Sequence, residues 1–263
     1  MNYTKWITHF NRNQQNRPEP DWAAPREPIP PKVLAPLVRS LEQFQLGDGG
    51  GPASLIAFDA ERFRNSTEQT RALVDFWFAE EKEHAPLLGC AVDRLGGRRI
   101  KSHWSFTAFC LCRRTLGVKF ELQVLLLTEL VSTAYYRVLR RHPPDAPLAD
   151  MCALILRDEA GHVAFHRDRL AAVGRSPLGL VGALWQAQFW LCGLAAAAVL
   201  WTSHGPCLTA IGGSHTEYFR EVRRELRRFT ASLCRALESA IQFQESFYQP
   251  HKSLLTTIGK ELT

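Results

Sequence analysis

Between Leu73 and Gly96 the apolar residues recur three and four positions apart: Leu73, Phe76 and Trp77, and further along Leu87 and Leu88. That spacing lines one face of an α-helix. The same period runs through 118–141 and again from Pro147 to about 173. Starts and stops sharpen the boundaries. Ser66–Thr67 opens a helix that Gly96-Gly97 closes, and Pro143-Pro144 ends one that Asp145 and Pro147 follow with another. The pattern predicts helical segments at 32–64, 67–96, 103–113, 118–141 and about 145–173. An uncharged stretch at 178–201 and a basic amphipathic helix at 215–242 follow. No hairpin signal interrupts them, so the fold class is all-α. Residues 1–30, carrying RPEPDWAAPREPIPPK, read as a proline-rich arm outside helix or sheet, with Trp22 as a surface anchor. The domain reading is thus 1–30 arm, 31–174 helical bundle, and 175–263 additional helices packed on it.

Composition narrows the class. Of 263 residues, 46% are hydrophobic and 22% charged, enough for a sizeable core and against wholesale disorder. A net charge of +6 favours anionic partners without choosing among them. The opening residues are polar and resemble no signal peptide. Seven cysteines form no regular framework, so the expectation is reduced thiols and a cytoplasmic protein. Cys110-x-Cys112 lacks the spacer and second pair of a zinc site and reads as core thiols.

The chemistry lies in two echoes. AEEKEH (79–84) places Glu81 and His84 one turn apart, and RDEAGHVAFH (157–166) repeats the spacing with Glu159 and His162. A di-metal site in a four-helix bundle takes a Glu-x-x-His from each of two helices and one carboxylate from each of the other two. Carboxylates suit iron or manganese and can bridge two ions.

The missing carboxylates follow from register, because facing residues on antiparallel neighbours lie equally far from their shared loop. Glu159 is about 12 residues past Pro147, and Glu129 is about 12 before the end of 118–141. Glu121 lies too early and reads as a solvated or packing residue. Glu81 is about 14 residues past Thr67, which points to a partner near 50: Asp48, ringed by Gly47, Gly49, Gly50, Gly51 and Pro52. Glu42, or no ligand at all from this helix, remain the alternatives.

Asp158 and Glu80 are placed to hold the imidazoles of His84 and His162. His166, one turn after His162, is a third nitrogen ligand or a packed histidine. Tyr136, two turns after Glu129, is the candidate catalytic phenol, against a plain core tyrosine. Trp77 and Phe78 would wall the site.

The order carboxylate, Glu-Glu-x-x-His, Glu, Asp-Glu-x-x-His resembles the ferritin-like di-iron carboxylate superfamily over about residues 31–173. That superfamily includes acyl-carrier-protein desaturases, ribonucleotide reductase small subunits, rubrerythrins and arylamine N-oxygenases. The resemblance implies a ferritin-like four-helix bundle and two iron ions, with manganese or a mixed pair as alternatives. Asp48 departs from the glutamate usual at its place. The expected function is a di-iron oxidoreductase that activates dioxygen and oxidises an apolar or carrier-bound organic substrate with an external electron donor. The rivals are iron or manganese handling, through ferroxidase or catalase-like chemistry, and a silent interaction protein. The 178–201 stretch is long enough to span a bilayer. It reads as a fifth helix on the bundle or in a homodimer interface, with a membrane-associated hairpin as the alternative. The arginines of 215–242 read as a solvated face with i,i+4 pairs; nucleic acid is disfavoured as a partner.

Overall fold

The computed structural model describes residues 1–49, 54–173 and 179–248, and among them it holds nine helices and no strand. In chain order these are α1 (Tyr3–Gln15), α2 (Pro31–Gly49), α3 (Ala60–Arg64), α4 (Glu68–Arg94), α5 (Trp104–Thr115), α6 (Val118–Arg141), α7 (Ala146–Ala172), α8 (Gly179–Ala210) and α9 (His215–Tyr248). Local chemistry sets the ends. Thr67 Oγ1 accepts the Thr70 amide at 3.0 Å to cap α4. Gly117, at φ +81°, turns the chain into α6 in a conformation that other residues rarely adopt. Gly50, Gly51 and Pro52, the start of the uncharged stretch and residues 249–263 lie outside the described residues.

Helix α2 packs on α4 and α6 on α7, while α4 meets α7, so the two pairs join along the helices that carry the Glu-x-x-His motifs. One apolar core runs between them, through Leu41, Leu88, Leu126, Leu130 and Ile155. A second, smaller core gathers Trp6, Phe10, Leu73, Trp77 and Phe165.

That second core corrects the reading of residues 1–30. The first fifteen contain no proline, and Tyr3, Trp6, Ile7 and Phe10 have helical spacing, so they form α1 once Asn2 caps it at the Lys5 amide. The proline-rich remainder crosses the surface and is pinned by Arg94, which donates to the carbonyls of Trp22 and Ala24 at 2.8 and 2.9 Å and pairs with Asp145 at 2.6 Å.

Helix α8 is one continuous rod, not a hairpin. By length and composition it could cross a membrane. Its inner face packs through Phe189, Gly193 and Ala197 on the core, while Leu180, Val181, Leu184, Leu191 and Val199 are exposed. A buried polar knot fastens it: Ser40 Oγ of α2 lies 2.7 Å from Tyr135 Oη of α6 and 2.8 Å from His204 Nδ1 of α8. Truncation as Ser40→Ala leaves both partners buried without it. An unfolding free-energy loss of about 1–3 kcal/mol is expected by denaturant titration.

Helix α9 runs antiparallel to α6. Arg137 pairs with Glu225 at 3.2 Å and Arg141 with Glu221 at 3.0 Å, and Arg141 also reaches Glu217. The glutamates expected to pair along α9 are therefore largely turned inward, stitching it to α6, and Glu221 and Glu225 are buried.

Candidate metal centre

Glu81 and His84 sit on α4, and Glu159 and His162 on α7, each pair one turn apart and facing the opposite helix. Ligand-capable atoms of Glu81, Glu129, Glu159 and His162 all lie within 4.8 Å of one another, a group that could hold a metal ion. His162 Nδ1 is 3.0 Å from Glu81 Oε1 and 3.6 Å from Glu159 Oε2. His84 Nδ1 faces the same two carboxylates from the other side, at 3.6 Å from Glu81 Oε2 and 3.9 Å from Glu159 Oε1.

The outer ring nitrogens face carboxylates crosswise, with an aligned hydrogen bond at His84 and close approach alone at His162. His84 Nε2 on α4 lies 3.3 Å from Asp158 Oδ2 on α7, and His162 Nε2 on α7 lies 3.0 Å from Glu80 Oε1 on α4. With Nε2 turned to these carboxylates, each Nδ1 is aimed at the centre. Asp158 is braced in turn by Arg17 at 2.7 Å and Arg157 at 3.0 Å. Burial alone would raise its pKa, but the His84 hydrogen bond and Arg17 outweigh burial and hold it at about 2.

The remaining candidates separate. Glu42 accepts the Arg98 amide at 2.9 Å, so it serves the loop after α4. Asp48, in the last turn of α2, lies near enough to Glu81, Glu159 and His84 to feel their charges, but outside the group of four. The helix persists through Gly47 and Gly49 despite their low helical preference. His166 turns Nε2 toward Glu129 Oε1 at 3.4 Å, without an aligned hydrogen bond, and Nδ1 toward Arg169 at 3.3 Å. Tyr136 is buried against Phe44, and its hydroxyl has no hydrogen-bond partner among the described residues. Trp77 and Phe165 pack on the imidazole of His166. Glu121 is neither solvated nor mere filling: it is fully buried, pairs with Arg113 at 2.9 Å and accepts the amides of Ile56 and Ala57. Cys110 and Cys112 do not form the expected core thiols, since Cys110 is half-buried and Cys112 exposed.

Helix α1 closes one side. Phe10 packs on the His162 ring at 5.8 Å between centroids. Gly161 lets His9 approach so closely that a side-chain carbon there would collide with its ring. Lys5 pairs with Asp168 at 2.8 Å. Arg17, His9, Phe10 and Arg169 were not singled out by motif reasoning. The apolar period of α1 was the available signal for two of them.

Several polar atoms of the cluster are buried without a partner. Both oxygens of Glu129, Oε2 of Glu159 and both ring nitrogens of His162 are buried without a well-aligned hydrogen bond. Leaving such atoms unpaired costs about 1–3 kcal/mol each. Burial, with Glu159 and Glu81 adding to it, raises the Glu129 pKa well above the usual carboxylate range. Burial likewise raises Glu159, with Glu81 adding to it, and lifts Asp48 to about 8. Burial opposes a charged His84, yet Asp158, Glu81 and Glu159 prevail and raise it to about 9. These shifts favour the protonated forms of Glu129, Glu159, Asp48 and His84, while the His162 and His84 imidazoles hold Glu81 below its ordinary range despite burial. A donor set of hard oxygens with one imidazole from each of α4 and α7 suits iron or manganese. Compared with known proteins, the chain matches no family model, no curated protein and no solved structure.

Proposed function

We propose that this chain is a ferritin-like di-metal oxidoreductase that oxidises an organic substrate beside the carboxylate cluster. The reading is carried by the crosswise arrangement of the two Glu-x-x-His pairs, which turns both Nδ1 atoms inward onto Glu81 and Glu159. Helices α4 and α7 carry one pair each and α6 carries Glu129; Asp48 of α2, outside the group of four, would complete the division that a di-metal bundle uses. Glu81, His84, Glu129, Glu159, His162 and Asp48 would hold the metals. Bound iron would supply reductive activation of dioxygen, drawing electrons from an external donor. The protein's own part is to orient the imidazoles through Asp158 and Glu80, and to keep water out with Phe10, Trp77 and Phe165. Tyr136 would keep its phenolic proton, its pKa raised well above the ordinary range by burial, with Asp48 adding to it, so that it can donate there.

Elemental analysis of the purified protein, then absorption spectra after ferrous iron and air, tests this. About two metals per chain with an oxo-bridge band supports the reading. Manganese with peroxide turnover points to the catalase-like alternative, and a protein that takes up no metal overturns the reading.

Metal binding must displace protons from the cluster, so affinity should rise with pH. Asp48, raised to about 8, and His84, raised to about 9, hold protons below those values. The gain should continue through that range and then level off. Calorimetry of metal binding in buffers of different ionisation enthalpy should show net proton release at pH 7. The exposed face of α8 fits membrane-surface association in the same reading. Leu184→Glu with Leu191→Glu should abolish co-sedimentation with phospholipid vesicles.

A further inference from the structure

A cleft of about 540 Å³ opens between α6, α7 and α9, and Glu159 of the carboxylate group forms part of its wall. That volume lies within the ~300–1,000 Å³ usual for small-molecule sites. Its inner end also carries Thr133, whose hydroxyl is buried, 5% exposed for the whole residue, and has no partner among the described residues. The walls are apolar, through Leu156, Val163 and Phe229. The outer parts are cationic. Glu225 engages Arg137 and Arg228, each at 3.2 Å, and Asp168 engages Arg167 at 2.6 Å. Arg227 and Arg235 line the same cleft from α9, are exposed, and have no carboxylate partner among the described residues. An apolar passage that runs from unpaired guanidiniums to a buried carboxylate and hydroxyl is complementary to an elongated amphiphile with one acidic end.

We infer that this cleft binds an organic anion, its acidic headgroup held by Arg227 and Arg235 and its apolar portion directed to Thr133 and Glu159. The orientation toward Glu159 as the reacting end rests on the function proposed above; binding itself does not. The favoured ligand class is an aliphatic carboxylate. A cation is disfavoured by the guanidiniums, and a neutral apolar molecule leaves them without a counter-charge.

Titration calorimetry on the full chain, with and without metal, tests the inference using decanoate, decanol and decyltrimethylammonium below their aggregation concentrations. Decanoate should bind at least several-fold more tightly than decanol, since each exposed guanidinium contributes only modestly to holding a carboxylate. Arg227→Gln with Arg235→Gln, both on the exposed side of α9, should remove that preference. Ala160→Trp, at an exposed position on the cleft wall, should block all binding. Decanol binding as tightly as decanoate, or unaltered decanoate binding in the arginine double variant, overturns the inference. Decanoate binding to a protein that takes up no metal upholds the cleft while removing the metal reading. Metal uptake without decanoate binding does the reverse.

Discussion

Glu129→Gln is expected to abolish stoichiometric metal uptake while leaving the metal-free protein folded. Burial and two neighbouring glutamates raise the pKa of the wild-type carboxyl well above the usual range, which favours its protonated form. An amide is therefore close to it in both shape and charge, and metal-free stability should change by no more than about 1 kcal/mol. Metal at a hundred times its dissociation constant should stabilise the wild type by about 2.7 kcal/mol, a rise of roughly 5–10 °C for a chain of this size. Thermal unfolding with and without ferrous or manganous ion should show that rise in the wild type and not in the variant. Asp158→Asn gives the graded control. Its carboxylate orients His84 from behind, so affinity should fall about 10–100-fold without vanishing. Equal loss in both variants would point to a general collapse of the cluster, and retention of two ions in Glu129→Gln would remove Glu129 from it.

The sequence was most legible where one periodicity governed one helix. Thr67 and Asp145 stand at the starts of α4 and α7, because capping and turn chemistry act over a few residues and need no tertiary knowledge. Register arithmetic was informative for the same reason: a short connection forces antiparallel packing, and Glu129 and Glu159 do fall in one group.

What escaped depends on distant partners. Glu121 looks like an ordinary first-turn carboxylate until Arg113 and the amides of Ile56 and Ala57 surround it. Arg17 follows α1 with no spacing relation to Asp158, 141 positions later, so only the fold brings them together. The cleft arginines are a uniform basic run in sequence, and it is the inward turn of Glu225 that leaves some paired and others free. Helix α1 itself was readable, but the prolines that follow drew it into the arm. Helix α8 shows the converse problem. Its residues are apolar all round, so nothing in the sequence distinguishes the face on α2, α6 and α9 from the one left exposed.

Arg113→Met should cause the largest loss of stability in the molecule, about 3–5 kcal/mol, because it strands Glu121 as a buried charge without its counter-ion. Arg113 and Glu121 are 5% and 0% exposed, and the guanidinium also donates to the Ser54 carbonyl at 2.7 Å. Together they clamp residues 54–57 against α5 and α6, on the segment that follows α2 and hence Asp48. The melting temperature should fall by roughly 10 °C. Arg113→Met combined with Glu121→Met should recover much of it, since replacing a buried pair by apolar residues of similar volume is often neutral. The residual deficit measures the two amides left without an acceptor, about 1–3 kcal/mol each at most. Metal affinity separates the local consequence from the global one. If the clamp holds the end of α2 in place, the double variant should refold yet bind metal more weakly than the wild type. Full affinity in a stable double variant would show that Asp48 is positioned without the clamp, by the packing of α2 on α4 and α8.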